Sequence, residues 1–274
     1  MHALPFALAS LAAILLAPAL LNALSEAGHV RSNFRERSVV FPFGVLSVAG
    51  ALAALIPLTL LQRLEVAQVF HPETLMVSVY VLGVAFLGLV DDTLGGEPRG
   101  WRGHGRAVLR LQLSTGALKA FGSLGLAMYA TSYAEPSTGR WLLASAVLVL
   151  ATNVFNLLDL RPGRATKVFV VLGLGLTIGT ASVRPLWTLG LFVGPALVAG
   201  LYDLRERAML GDTGANLLGA LAGLWLVLSL STLGQTIALA LLFAITLYGE
   251  LRSITKLVER LPLLRGLDSW GVPR

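Results

Sequence analysis

Long apolar stretches separated by short polar segments run along almost the whole chain. Each approaches the roughly 20 residues that an α-helix needs to cross a hydrocarbon core of about 30 Å. The first stretch contains no Lys or Arg and is long for a signal peptide, so we expect it to be a retained helix. The pattern predicts an all-α, polytopic membrane bundle formed by a single domain over residues 1–274. Its spans are predicted at 3–24, 39–61, 72–90, 108–131, 140–158, 167–183, 185–201, 213–231 and 235–256.

Composition agrees with a membrane protein. Only 13% of the residues are charged, 55% are hydrophobic, and the mean hydropathy is +0.77. A soluble domain carries roughly 25% charged residues. The chain contains no cysteine, which excludes a disulfide framework, a thiolate metal site and cysteine-based nucleophilic catalysis.

The distribution of Lys and Arg predicts the orientation of the bundle. Seventeen of the 21 basic residues lie in one alternating set of loops and in the C-terminal tail. The opposite loops hold only Arg63, Arg140 and Arg184, and Lys119 lies inside the fourth span. The positive-inside rule then places the N-terminus outside and the C-terminus in the cytoplasm, in the inner membrane. The net charge of +6 reports this bias rather than a nucleic-acid partner.

Four aspartates are predicted at the cytoplasmic edge of the bundle. Asp91 and Asp92 end the third span, Asp159 ends the fifth, and Asp212 opens the eighth. Carboxylates close to hydrocarbon usually mark function. The adjacent pair also faces the negative end of a helix dipole, so nearby arginines or a bound metal must compensate it.

Further polar residues lie near these aspartates. Asn153, Asn156 and Asp159 recur every third position and share one helix face, where they favour either interhelical hydrogen bonds or contact with a ligand. Lys119 either pairs with a carboxylate or contacts a phosphate. Asp212 is either an N-cap or a ligand-binding residue at a helix N-terminus.

The remaining candidates lie in loops. Arg161 and Arg164 follow Asp159 in a turn, where they either anchor the loop or bind phosphate. His104 is the histidine that shares a loop with the Asp91–Asp92 pair. Oxygen ligands without cysteine or clustered histidine favour Mg²⁺, with Mn²⁺ as the alternative, completed by phosphates of the substrate.

Three motifs in order carry a resemblance to a known family. They are GLVDDTLG, NVFNLLD and MLGDTGANLLG, within roughly residues 25–256. Together they resemble the polyprenyl-phosphate N-acetylhexosamine-1-phosphate transferase superfamily, which includes the MraY enzymes of peptidoglycan synthesis. The resemblance implies an MraY-like bundle of membrane helices with a cytoplasmic Mg²⁺ cleft. It also implies transfer of a sugar-1-phosphate from a UDP-sugar to undecaprenyl phosphate or a related polyprenyl phosphate, with release of UMP, for cell-envelope glycan synthesis.

The resemblance also implies roles for individual residues. Asp91 would deprotonate or orient the lipid phosphate, and Asp92 would support that phosphate and the metal region. Asn156 and Asp159 would line the nucleotide and metal side, while Asp212 would bind Mg²⁺ directly. Lys119 would contact a phosphate.

The chain departs from the family pattern at three places. Pro162 stands where a further aspartate is expected, Met209 stands where an aromatic stacks on uracil, and no His-rich loop precedes the C-terminus. These departures indicate a divergent short paralogue. They also motivate the alternative of a non-catalytic relative that binds polyprenyl phosphate or an envelope-synthesis partner. A transporter would require inverted repeats, which the sequence does not display. The sequence leaves a homodimer open.

Overall fold

The chain folds into helices joined by short connections. The structure is a computed structural model that describes residues 3–64, 66, 68–94, 115–132, 135 and 137–273. A short antiparallel hairpin, β1 (Val30–Ser32) and β2 (Ser38–Val40), follows the first helix. The helices within the described residues are α1 (Leu4–Glu26), α2 (Val45–Arg63), α3 (Thr74–Leu94), α4 (Thr115–Ser132), α5 (Thr138–Leu158), α6 (Arg164–Thr180), α7 (Arg184–Thr188), α8 (Gly190–Leu204), α9 (Gly211–Ser229), α10 (Thr232–Leu251), α11 (Ile254–Arg260) and α12 (Pro262–Ser269).

The length and hydropathy of these helices make the protein a multi-pass membrane protein. Within the described part of the chain, six helices are long and apolar enough to cross a membrane: α1, α2, α3, α5, α9 and α10. The prediction of a helical membrane bundle is therefore confirmed. The other three predicted spans overlap α4, α6 and α8, which are shorter or less apolar, so the count of nine crossings stays a prediction.

Helix α9 lies at the centre of the bundle. Most of its residues are buried, whereas those of α10 are largely exposed. Its closest neighbours are α3 and α5. The approach of α3 requires a glycine, because a Cβ at Gly88 would overlap the backbone oxygen of Asp212. Small residues permit such close packing of membrane helices.

The hairpin fixes the chain where it enters α9. The side-chain oxygen of Asn33 accepts the N–H groups of Arg35 and Arg37, which closes the hairpin turn. The N–H of Phe43 then donates to the carbonyl of Met209 at 2.7 Å. Loops far apart in sequence therefore meet at this end of the bundle, beside the first turn of α9.

The C-terminal helices α11 and α12 cross the same end of the bundle. Arg164, at the start of α6, binds both carboxylate oxygens of Asp268 in α12, at 2.7 and 2.9 Å. Lys167 donates to three backbone carbonyls of the tail. At the other end, Arg184 pairs with Glu73 at 2.7 Å. Loops that the sequence assigns to one side therefore contact each other.

Candidate functional site

A lysine joins two aspartates at the end of the bundle where the basic loops meet. The Nζ atom of Lys119 lies 2.5 Å from Oδ2 of Asp212 and 3.4 Å from Oδ2 of Asp91. In the amide orientation that satisfies its neighbours, Asn156 donates to Asp212 at 3.0 Å and accepts from Lys119 at 3.1 Å. Four residues from four different helices thus form one hydrogen-bonded cluster, which we call the Lys119 cluster.

Each member of the Lys119 cluster lies near the end of its helix. Asp91 is in the last turn of α3, Asn156 in the last turn of α5, and Asp212 in the first turn of α9. The charged side chains are only partly buried, with 16% of Lys119 and 31% of Asp212 exposed. The cluster is therefore open to solutes at one end of the bundle. Within the described residues, Lys119 pairs with Asp91, and the arginines that follow this aspartate in the sequence lie outside the described part of the chain.

Asp92 has a different environment from its neighbour Asp91. Its Oδ1 accepts the N–H of Asp212 at 2.9 Å, and its Oδ2 accepts the N–H and hydroxyl of Thr213 at 2.8 and 2.6 Å. Asp92 therefore caps α9 from another helix, and its negative charge lies at the positive end of that helix dipole. The N-cap interpretation of Asp212 is wrong, because Asp92 fills that role and frees the Asp212 side chain for Lys119.

Asp159 lies beside the Lys119 cluster in a small cavity of about 90 Å³. Asp203 and Met209 also line this cavity. Burial raises the pKa of Asp159 well above its usual value, and the nearby carboxylates of Asp203 and Asp212 raise it further. Carboxyl groups therefore lie close together here, and a proton or a bound cation would relieve the repulsion between them.

Asp203 is a functional candidate that the sequence interpretation missed. Its side chain is 4% exposed and accepts the N–H of Gly163 at 2.6 Å. That bond holds the turn after Asp159 against the end of α8. Asp203 follows the end of a predicted span, as Asp91, Asp92 and Asp159 do, and this shared position was the signal that would have identified it.

The two arginines after Asp159 differ in their contacts. Arg161 lies over the ring of Phe34, 4.5 Å from its centroid, and pairs with Glu259 at 3.1 Å. It lines both the small cavity and an adjoining one of about 440 Å³, which Arg35 and Arg265 also line. Only the larger cavity falls within the roughly 300–1,000 Å³ of typical ligand pockets.

Arg164 is buried, and its guanidinium group is occupied by Asp268 and by the hydroxyl of Thr255. It lines neither cavity and fastens the tail instead. Asn153 donates to Thr246 of α10 at 3.3 Å. Of the two roles that the sequence allowed for Asn153, an interhelical hydrogen bond or contact with a ligand, the structure shows the first. His104 lies outside the described residues.

A metal ion at this site would need ligands from a substrate in addition to those from the protein. Among the residues that the structure describes, no group of three or more histidine, aspartate or glutamate side chains could hold an ion. The carboxylates of Asp212, in the Lys119 cluster, and of Asp159, beside it, supply oxygen ligands. Such a set suits Mg²⁺, which often takes one or two carboxylates and completes its shell with water and phosphate oxygens.

Comparison with known proteins adds no family to these observations. No protein-family model matches the chain, and no curated protein matches it. The geometry of the Lys119 cluster and the three sequence motifs are therefore the grounds on which a function is assigned.

Proposed function

We propose that the protein is a Mg²⁺-dependent transferase of a sugar-1-phosphate, with N-acetylhexosamine-1-phosphate as the expected group. An oxygen of polyprenyl phosphate would form a bond to the sugar-bearing phosphorus of a UDP-sugar. The bond from that phosphorus to the bridging oxygen would break, and UMP would leave. The observation that carries the proposal is the convergence of Asp91, Asn156 and Asp212 on Lys119. These residues come from the three motifs and the intervening helix.

The Lys119 cluster has the charges that this reaction requires. A lysine ammonium among carboxylates can exchange its partners for phosphate oxygens, because phosphate is an equally good acceptor of its hydrogen bonds. Asp91 then faces the incoming lipid phosphate, which it would orient or deprotonate. Positioning of the reactants and electrostatic stabilisation account for most catalysis of phosphoryl transfer.

Asp92 receives a different role in this proposal from the one implied by the family resemblance. Its carboxylate accepts three hydrogen bonds from the first turn of α9. We assign it to holding Asp212 in place rather than to contacting the lipid phosphate. Asp92 is thus a positioning residue.

Asp212 and Asp159 would hold the Mg²⁺ ion, with the remaining ligands from the diphosphate and water. When bound, Mg²⁺ would neutralise charge on the diphosphate of the donor. The larger cavity, lined by Arg35, Arg161 and Arg265, would admit the nucleotide, since guanidinium groups bind phosphate oxygens well.

The proposal places this site on the cytoplasmic face of the inner membrane, with nine membrane crossings and the N-terminus outside. The arginine-rich loops support this orientation. Further support comes from contacts between loops of the same predicted side, such as Arg35 with Glu206 at 3.4 Å. A polyprenyl phosphate in the bilayer and a soluble nucleotide would meet at this edge.

The test is direct. Purified protein is incubated with undecaprenyl phosphate, Mg²⁺ and a panel of UDP-sugars, and UMP release is measured. We expect release with at least one donor, and its loss in Asp212→Asn. Glu73→Gln is the matched control, because it makes the same carboxylate-to-amide change at the opposite end of the bundle. If folded protein releases no UMP from any donor, the transferase proposal is refuted.

A second candidate function is binding of a polyprenyl phosphate without turnover. The observation that favours it is the 2.5 Å contact of Lys119 with Asp212, which already neutralises a carboxylate that a metal ion would use. Pro162 at a position where the family carries an acidic residue points the same way. This function predicts saturable binding of undecaprenyl phosphate that Asp212→Asn leaves intact, together with an absence of UMP release.

A further inference from the structure

The C-terminal helix α12 has two chemically different faces. Leu263, Leu264 and Leu267 lie within an arc of roughly 100° around its axis. Arg265 and Asp268 lie on the other side, where they line the larger cavity. The polar face of α12 therefore looks onto the protein, and the leucine face looks away from it.

The leucine face is left uncovered by the described part of the chain. Leu263 is 77% exposed, Leu267 is 52% exposed, and Trp270 just after the helix is 73% exposed. These side chains recur at intervals of four and three residues, so they form one continuous stripe. A contiguous apolar patch of this kind usually marks a surface that contacts a protein or a membrane.

Hydrogen bonds prevent α12 from turning this stripe towards the bundle. Arg164, which is 3% exposed, binds both carboxylate oxygens of Asp268. Lys167 donates to the backbone carbonyls of Leu267, Asp268 and Trp270. Burying the leucines against the protein would break these charge-assisted bonds. The exposed orientation of the stripe is therefore fixed by the fold.

The charges of the tail favour an anionic partner. Its two carboxylates are already paired, Glu259 with Arg161 and Asp268 with Arg164. Four basic residues of the tail are exposed and make no ion pair with any described residue. They are Arg252, Lys256, Arg260 and Arg265. Basic residues beside an apolar helix face attract anionic lipid head groups.

The position of the tail brings it to the edge of the membrane. Helix α10 has the length and hydropathy of a membrane-crossing helix and ends at Leu251, which is 73% exposed. Helix α11 begins three residues later. On the other side, α12 is bonded to Lys167, and the exposed Val168 and Val171 follow in α6. The tail is therefore joined to one helix and hydrogen-bonded to another, and both carry exposed apolar side chains near the point of attachment.

We propose that α12 lies in the membrane interface, with Leu263, Leu267 and Trp270 inserted at the boundary between head groups and acyl chains. Tryptophan is enriched at this level of membranes. The polar face of α12 then forms the wall of the larger cavity next to the lipid surface. This inference is independent of the transferase proposal, because it depends on the tail alone.

Because the chain contains no cysteine, a single introduced cysteine is the sole site for a thiol-reactive label. A single cysteine is introduced into the full-length protein at Leu263, Leu267 or Ser269 and labelled with a nitroxide. Each labelled protein is reconstituted into vesicles of phosphatidylcholine and phosphatidylglycerol. Collision rates are then measured with oxygen, which concentrates in lipid, and with a water-soluble nickel complex. Ser269→Cys is the matched control, since Ser269 is exposed and lines the cavity on the polar face.

We expect labels at Leu263 and Leu267 to collide severalfold more with oxygen than with nickel, and the label at Ser269 to show the reverse. Two labelled positions on the stripe guard against a local effect of one substitution. Preferential nickel collisions at all three positions would place the stripe in water and overturn the proposal. Protection of Leu263 and Leu267 from both reagents would reveal a protein partner, such as a second copy of the chain, and would overturn it as well.

Discussion

Replacing Asp92 by asparagine is predicted to destabilise the fold far more than the same change at Asp91. The two oxygens of Asp92 accept three hydrogen bonds from the start of α9. Asparagine offers one oxygen, and its amide would point a donor at the donors of Asp212 or Thr213. Loss of a charge-assisted hydrogen bond costs about 1.5–3 kcal/mol, and loss of an N-cap costs about 0.5–2 kcal/mol. We expect Asp92→Asn to lower the free energy of unfolding by about 2–3 kcal/mol.

Asp91 makes a weaker structural contribution. Its ion pair with Lys119 is long, at 3.4 Å, and 23% of its side chain is exposed. Pairs that are open to solvent contribute about 0–1 kcal/mol. Asparagine also retains an oxygen that can accept from Lys119. Asp91→Asn is therefore expected to change the free energy of unfolding by less than about 1 kcal/mol.

Unfolding of both variants is followed by the helical circular dichroism signal during titration of mixed micelles with sodium dodecyl sulfate. The two proteins differ from the parent by one carboxylate each, at adjacent positions, so each is a control for the other. Equal destabilisation of the two variants would refute the assignment of Asp92 as the cap of α9.

Three further predictions follow from other contacts. Gly88→Ala should destabilise the protein by about 1–3 kcal/mol, because its Cβ would overlap the Asp212 carbonyl. Gly125→Ala should have little effect, since no atom of the described residues lies within 4 Å of its Cβ. Thermal unfolding of the two variants measures the difference. Burial tends to raise the pKa of Asp268, but the hydrogen bonds and charge of Arg164 outweigh it and hold that pKa below its usual value. The resulting stabilisation of the tail should be complete above about pH 4 and lost as the pH falls through the lowered pKa of Asp268. A nitroxide at Ser269→Cys measures this loss as an increase in its mobility. Asp268→Asn should remove the pH dependence. Chelation of divalent ions should abolish UMP release and Mg²⁺ should restore it, whereas release that persists without divalent ions would contradict the metal requirement.

The sequence predicts the helices well because apolar runs are a local property. Each predicted span overlaps a helix, and the ends agree within a few residues at α5 and α9. The same logic predicts that aspartates at alternate span ends share one side of the bundle. The structure brings Asp91 and Asp212 to the same lysine, although 121 positions separate them. The alternation of spans predicts the shared end of the bundle, whereas the shared contact with Lys119 was one of two alternatives that the sequence left open.

Other features of the site have no local signal. In the sequence, Arg164 is one of many basic residues in the loops assigned to the cytoplasmic side. The fold of the tail places Asp268 against it, although 104 positions separate the two residues. Asp203 accepts the N–H of Gly163, 40 positions earlier. Such partners depend on how distant segments pack, and no periodicity in the sequence encodes them. The same reason explains why the sequence left an N-cap role open for Asp212, although the cap of α9 comes from Asp92.

The geometry of a helix separates the two adjacent aspartates. Consecutive side chains on an α-helix diverge by roughly 100°, so neighbours in sequence face different partners. From the last turn of α3, Asp91 turns to Lys119 on α4, and Asp92 turns to the first turn of α9. A carboxylate that already accepts three hydrogen bonds has little capacity left for a substrate. The chemistry proposed for the aspartate pair therefore falls to Asp91, and Asp92 contributes by fixing the position of Asp212.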